Sequence, residues 1–284
     1  MSIDKCLVCG HNGYTLIYNK TLIKCKSCGF ISANIEISEN ELKKIYSKNY
    51  FIGEEYLDYI RDKIIIQKNF KKKIEYIFKI KNKKEIKNVL EIGCAYGFFA
   101  EVLNQFIYTN YLGIDIVQDA IDFGKNILHQ NLINASYLDI NYPKNSFTDV
   151  FMWDVIEHLK HPDEFIKKIS TEIKEGGFLY LTTGNISSIL SKIKKSRWRL
   201  IHPPTHLYYF SEKTLKYLLN NHGFKVYKIK YFPVYRSIKQ IFFSLFILNK
   251  KPNKIIKYIY SIIPENKHIA INTYDIMFLI AYKQ

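Results

Sequence analysis

Along residues 89–183 short apolar runs alternate with amphipathic stretches, and a chain of that texture folds as βαβ units with parallel strands. Parallel neighbours cannot be joined by a tight turn; each crossover takes about a dozen residues or more, and a helical pattern fills each one here. Residues 89–92 read as the first strand, 98–105 as the first helix and 111–116 as the second strand. A helix is expected over 120–131, a third strand over 135–140 and a fourth over 148–153. Residues 165–173 read as a helix, Gly176-Gly177 as a turn and 178–183 as a fifth strand. A helix at 211–221, a strand at 225–231 and a last apolar strand at 274–282 follow. The expected fold is α/β, a Rossmann-like doubly wound sheet.

Four of the five cysteines precede this region, in two Cys-x-x-Cys-Gly pairs, Cys6 with Cys9 and Cys25 with Cys28, 15 residues apart. Each pair can form a tight knuckle whose amides point at the sulfurs, and two knuckles supply the four thiolates of a tetrahedral zinc site. Four protein ligands leave no open position, so the zinc is structural. Two disulfides or a redox pair are the other readings; the duplicated spacing argues against them, as does the expected compartment. The N-terminus lacks the apolar run of a signal peptide and no stretch approaches the roughly 20 apolar residues of a membrane span, so a cytoplasmic location is expected. Residues 14–18 and 21–24 read as strands of a ribbon over 1–36, too small to fold without its metal.

Residues 37–84 read as a helical lid and linker. Leu42, Ile45, Tyr46, Tyr56, Tyr59, Ile60, Ile74, Ile77 and Phe78 recur at helical spacing, Ser38 to Glu41 resembles a capping box, and the lysine run at 81–84 is a polar linker. The net charge of +16 invites a nucleic-acid reading, but only four of the 42 basic residues are arginines, Arg61, Arg197, Arg199 and Arg236. Base and phosphate readout leans on the planar guanidinium, so the lysines are read as a solvated surface that attracts anions, and nucleic acid is not the expected partner.

The first strand runs into Glu91-Ile-Gly93-Cys-Ala95-Tyr-Gly97, a small-residue turn opening a helix, where backbone can approach a ligand closely. The second strand ends in Gly113-Ile-Asp115, which sets a carboxylate where doubly wound folds bind ribose hydroxyls. On these residues the chain resembles the class I S-adenosylmethionine-dependent methyltransferases. Residues 89–99 look like their first motif, 112–115 like the second, 137–140 like the third, and 143–159 and 173–183 like their fourth and fifth strand regions. That likeness covers about 89–224, makes 85–284 the methyltransferase domain and implies an antiparallel last strand. It departs at Ala95, where glycine is commoner.

The resemblance implies that Gly93, Ala95 and Gly97 hold the methionine and ribose part of S-adenosylmethionine, with Glu91 beneath. Asp115 would take the ribose hydroxyls, Ile116 would lie on the adenine, Leu138 and Asp139 would reach its edge, and Trp153 and Asp154 would line the methyl end. A hydroxyl acceptor must also lose a proton, which directs attention to His158 after the fourth strand and to His206. His206 lies in a loop with Trp198, Arg199, His202 and Tyr208, stiffened by Pro203 and Pro204, which reads as an acceptor site. His161 and Asp149 are expected to be turn or strand-start residues.

Methyltransferases with such a zinc ribbon and a Pro-Pro-x-His loop resemble those acting on sugars, so O-methylation of a sugar, nucleotide-sugar or glycan precursor of capsule or lipopolysaccharide type is the first expectation. The chain ends near the last core strand, which makes sugar C-methylation the lesser reading. Residues 154–159, Asp-Val-Ile-Glu-His-Leu, are also similar to quinone-precursor methyltransferases. An insertion at 236–264 contains a helical pattern at 237–248 with Ile238, Ile241, Phe242, Leu245 and Phe246 on one side, ended by residues 249–252. It is read as a dimer contact or active-site cover, with a peripheral membrane contact as the alternative.

Overall fold

A computed structural model describes residues 5–45, 59–247, 252–264 and 267–284. Strands β1 (Tyr14–Ile17), β2 (Leu22–Cys25) and β3 (Ile31–Ala33) form an antiparallel ribbon, its third strand not anticipated from sequence. Helix α1 (Glu39–Ile45) opens on the expected capping box: Ser38 Oγ accepts from the Glu41 amide at 3.2 Å, and the Glu41 carboxylate accepts from the Ser38 amide at 2.8 Å. Tyr46 and Tyr56 lie outside the described residues. Helix α2 (Lys63–Ile77) buries Ile65, Phe70, Ile74 and Ile77, whose spacing makes one apolar stripe.

The α/β region follows as β4 (Asn88–Ile92), α3 (Phe98–Asn104), β5 (Asn110–Asp115), α4 (Gln118–Asn126), β6 (Leu132–Asn134), β7 (Phe147–Trp153), α5 (Pro162–Glu172) and β8 (Ile173–Gly184). Then come α6 (Ile189–Lys194), β9 (Tyr208–Tyr209), α7 (Glu212–Asn221), β10 (Phe224–Lys230), β11 (Val234–Ser237), α8 (Ile238–Phe246), α9 (Lys254–Ile262), β12 (His268–Ile271) and β13 (Ile276–Lys283). Seven strands make one sheet in the order β10-β13-β8-β7-β4-β5-β6, parallel except for β13, which runs antiparallel to both neighbours. This is the expected Rossmann-like sheet with its reversed last strand. At its centre every residue of β7 is buried, as a parallel strand covered on both faces requires. Among the described residues no helix is long and apolar enough to cross a membrane.

Local expectations fail where tertiary contacts decide. The third strand is β6, three residues earlier than expected, and residues 137–139 form a 3-10 turn. The apolar signal there came from Tyr137, which is buried because its hydroxyl donates to Glu172 at 2.5 Å, not because it lies in a strand. Gly176-Gly177 is not a turn between elements but a bulge inside β8: Ile173 to Phe178 pass against only Phe147 to Asp149 of β7. A Cβ on Gly177 would lie 3.0 Å from the Thr148 carbonyl oxygen.

The lysine run is not wholly polar linker. Lys81 is buried and donates to both carboxylate oxygens of Asp149 at 2.8 and 2.9 Å, and Asp149 sits inside β7 rather than in a turn. Within the insertion α8 starts on Ser237, which accepts from the Gln240 amide, but a second helix, α9, and the β11-β12 hairpin were not foreseen. Of the expected helix end at 249–252, residues 249, 250 and 251 lie outside the described residues.

The ribbon forms a second sheet, in the order β1-β2-β3-β9, whose last strand comes from the loop after α6. Strand β3 pairs with β9 through Ile31 with Tyr209 and Ser32 with Tyr208, and Phe30 stacks on Tyr208 with ring centroids 5.6 Å apart.

Candidate active site

The carboxyl ends of β4 and β5 form the first half of the site. Gly93 and Gly97 have φ of +75° and Ala95 has +46°, so three alternate residues of the turn lie in the left-handed region. At Gly93 a Cβ would meet Val155 Cγ2 at 2.3 Å, so only glycine fits. Ala95 is held in the same region by Asp115, whose Oδ2 accepts from the Ala95 amide at 2.8 Å while Oδ1 accepts from Val117 at 2.9 Å. The carboxylate thus ties two strand ends together and retains further lone pairs for hydroxyl donors. Burial lifts the Asp115 carboxyl above its ordinary pKa, against the pull of the amides it accepts from.

Around that carboxylate, Ile116 is 47% exposed, and Leu138 and Asp139 lie on the 3-10 turn after β6. Glu91 is buried under the turn with the Tyr111 hydroxyl on its carboxylate, and burial pushes its pKa well up. These groups share one sheet edge, and they fit an adenosyl cofactor. The turn lacks bulk, the carboxylate can take a diol, and an exposed aliphatic side chain offers a face for a base.

Beside this edge lies a cavity of about 680 Å³, between the ends of β7, β8 and β13 and the overhanging α2, β11 and α8. Trp153 and Asp154 line it, and the Trp153 indole N–H is buried with no hydrogen-bond partner among the described residues. Asp154 has φ +54° and is fixed by its amide, which donates to the Thr182 hydroxyl and carbonyl. Lys73 of α2 lies 5.6 Å from the Trp153 ring centroid; burial lowers its pKa and the Asp154 charge opposes the fall.

His158 and His206 meet on the cavity wall with ring centroids 4.6 Å apart. Nδ1 of His158 lies 2.9 Å from the Thr205 carbonyl and Nδ1 of His206 lies 2.9 Å from the Leu200 carbonyl. A carbonyl only accepts, so Nδ1 of each ring carries the proton, and the His158 ring also feels the Asp154 backbone. Burial pushes His158 down to about 4 and His206 to about 2, so both rings are neutral at ordinary pH. One ligand atom each of Glu157, His158 and His206 lies within 4.8 Å of the others.

The other loop residues are divided. Arg199 lines the cavity. Trp198, His202 and Tyr208 do not: the Trp198 indole donates to Asp275 at 2.8 Å, the His202 ring lies on His206 at 4.0 Å, and the Tyr208 hydroxyl donates to the Lys160 carbonyl at 2.8 Å. The Trp198 and Tyr208 tips thus anchor the loop to Asp275 and to Lys160. Sequence reasoning missed Asn69, Lys73, Arg236 and Gln240, all on the wall. For Lys73 a signal existed: it stands three residues from Phe70 and four from Ile77, on the stripe that α2 buries, hidden in a run of lysines.

At the far end of the ribbon the four cysteine sulfurs converge. Cys6 and Cys28 Sγ are 3.6 Å apart, as are Cys9 and Cys25, and all four lie within 4.8 Å of one another. That is too long for disulfides and close to the spacing that four ligands about 2.3 Å from one ion would show.

A family described as a methyltransferase domain matches residues 61–229. A ubiquinone biosynthesis O-methyltransferase of Coxiella burnetii is 32% identical over 106 residues, 35% of this chain and 44% of that protein. Its mitochondrial namesake in Dictyostelium discoideum is 27% identical over 117 residues, 34% of this chain and 35% of that protein. The chain spans less than half the length of these curated relatives. Among solved structures, a methyltransferase of Archaeoglobus fulgidus is similar in fold, with a TM-score of 0.53 and 22% identity over 83% of this chain and 97% of that one. With the magnesium protoporphyrin IX methyltransferase of Synechocystis the TM-score is 0.56 and the identity 12%, over 87% of this chain and all of the other. A match that spans more than half of the chain, on a sheet of this order, makes the protein a member of the methyltransferase domain family.

Proposed function

We propose that the protein is an S-adenosylmethionine-dependent O-methyltransferase of a small acceptor, and that the acceptor oxygen is phenolic, of the quinone-precursor kind. The observation that carries the reading is the bridge from Asp115 to Ala95 across the ends of β4 and β5, opening beside a cavity that Trp153 and Asp154 line. S-adenosylmethionine, when bound, supplies a methyl group already activated by its sulfonium. The chain's own task is to position the acceptor and take its proton, and positioning supplies much of the rate in such displacements.

The His158 ring is the group that accepts that proton, and the Glu157 carboxylate beside it offsets the charge so formed. A ring held near pKa 4 is a weak base, best matched to the more acidic hydroxyls. A phenol, near 10 as in tyrosine, is closer to it than a sugar hydroxyl. The curated relatives are also named for a quinone precursor rather than a sugar. The sugar or glycan acceptor is the second reading, supported by the polar side chains Asn69 and Gln240 on the cavity wall. In the same reading, zinc sits in the Cys6, Cys9, Cys25 and Cys28 cluster as a structural ion.

Calorimetry with S-adenosylhomocysteine tests the core of this. The wild type should bind it, and Asp115→Ala should bind at least about tenfold more weakly while still folded at the temperature of the experiment. In an assay that pairs a catechol with a free sugar, the catechol should gain methyl on oxygen, and His158→Gln should cut kcat by about 100-fold. A wild-type protein that does not bind the homocysteine product would refute the enzyme assignment.

A further inference from the structure

The cavity wall carries a cation, Arg236, with no ion pair of its own among the described residues. Arg236 of β11 lies beside Arg199, and one buried carboxylate, Asp275, serves the pair. Arg199 Nη2 already donates to Asp275 at 3.1 and 3.2 Å, the Trp198 indole donates at 2.8 Å, and the Thr273 hydroxyl donates as well. A carboxylate offers about four acceptor sites, so these contacts use it fully. Arg236 is half-buried and makes no ion pair or side-chain hydrogen bond among the described residues. The acids on the wall lie with other groups: Asp62 accepts from Gln240 at 3.2 Å, the Asp154 charge acts on Lys73, and Glu157 lies with His158 and His206.

Burial and the Arg199 charge both lower the pKa of Arg236, yet a guanidinium does not deprotonate in proteins. Two guanidinium groups against one saturated carboxylate therefore leave a positive, partly desolvated end to the cavity. Its geometry is fixed in advance. Asn69 of α2 clamps β11 at one residue, donating to the Tyr235 carbonyl at 3.1 Å and accepting from the Tyr235 amide at 2.8 Å.

We propose that Arg236, with the remaining N–H groups of Arg199, forms an oxyanion subsite that binds a phosphate or carboxylate carried by the methyl acceptor. The inference rests on the methyltransferase reading above and narrows it to anionic acceptors. A planar fork suits either group, because both present paired oxygens to paired N–H donors. The anion sits at the arginine end of the cavity and the hydroxyl to be methylated at the end lined by Trp153 and Asp154.

The test is calorimetry on the full chain with its metal, saturated with S-adenosylhomocysteine, using inorganic pyrophosphate, uridine diphosphate and 3,4-dihydroxybenzoate as probes. At least one probe should bind the wild type, bind Arg236→Gln about tenfold or more weakly, and recover in part in Arg236→Lys, which keeps the charge without the fork. S-adenosylhomocysteine should bind all three proteins alike. Uridine diphosphate above pyrophosphate would identify a nucleotide-linked acceptor, equal binding of the two a simple phosphate, and preference for dihydroxybenzoate a carboxylated phenol; each supports the subsite. Wild-type affinity in Arg236→Gln, or no binding of any probe to the wild type, overturns it. Failure of S-adenosylhomocysteine to bind overturns the methyltransferase reading instead.

Discussion

His158 and His206 are neutral in the fold for a reason that also makes them sensors of acid. Burial is the main cause for both, and for His206 the neighbouring His158 and His202 add to it. The unfolded chain titrates its histidines near 6.5, the folded one at about 4 and about 2. As pH falls from 6.5 towards 4 the unfolded state takes up protons that the folded state refuses. Stability therefore falls through that window, by up to about 1.4 kcal/mol per pH unit for each ring, and is flat above it. Glu91 and Asp115, lifted by burial, act with the opposite sign, so the effect is read by difference. The urea midpoint of His206→Asn should drop less between pH 7 and pH 5 than that of the wild type; equal drops would mean that His206 is not buried neutral. Asp115 was readable from its place at the end of a strand. The buffering of His206 was not, because it depends on Leu200 and His202 closing around the ring.

At the level of strands and helices, the tie between β7 and the segment after α2 is the most exposed to mutation. Lys81 and Asp149 are both almost wholly buried, and the Tyr180 hydroxyl also donates to Asp149 at 3.2 Å. Removing one partner leaves a buried charge unmatched, a loss of about 3–5 kcal/mol, whereas replacing both with apolar residues of similar volume restores much of it. Asp149→Ala should thus melt far below the wild type, and Lys81→Met with Asp149→Leu should lie well above the single variant in thermal unfolding. A double variant no better than the single would mean that the tyrosine contact, not the ion pair, dominates. The same pair shows where local pattern stops. The alternation of strands and helices was readable because each repeats its own period, and β4, α3, β5 and β7 fall within a residue or so of expectation. Lys81 and Asp149 are 68 positions apart, and nothing in either neighbourhood names the other. The β8 bulge and the start of β6 fail likewise, since both are set by the strand alongside.

Taken as one body, the protein joins its cysteine cluster to its main core, since Cys6, Val8, Cys25 and Phe30 share one buried cluster with Leu207, Tyr208 and Phe210. Strand β3 follows Cys28 directly and pairs with β9; the Ala33 amide donates to the Leu207 carbonyl, and the Leu207 amide donates to the carbonyl of Glu157. Leu207 thus stands between the ribbon and Glu157, with His206 next to it in the chain. On the other side Asn221 of α7 donates to the Val8 carbonyl inside the first knuckle. The cysteine spacing disclosed the proposed zinc site, but not this linkage, because β9 is only two residues long and carries no periodic signal. If zinc holds the knuckles, its loss releases β3, and the segment carrying His206 loses the partner that orders it. In the proposed reading S-adenosylhomocysteine binds at the ends of β4 and β5, which the ribbon does not touch through these bonds, and its binding should suffer less. Stripping the metal, or Cys25→Ser, should therefore raise amide exchange across 205–210 by an order of magnitude or more, while cofactor-product affinity shifts only a few-fold. Unaltered protection of 205–210 in a verified metal-free protein would show that this segment keeps its order without the metal, and that the cysteine cluster has no part in shaping the acceptor side.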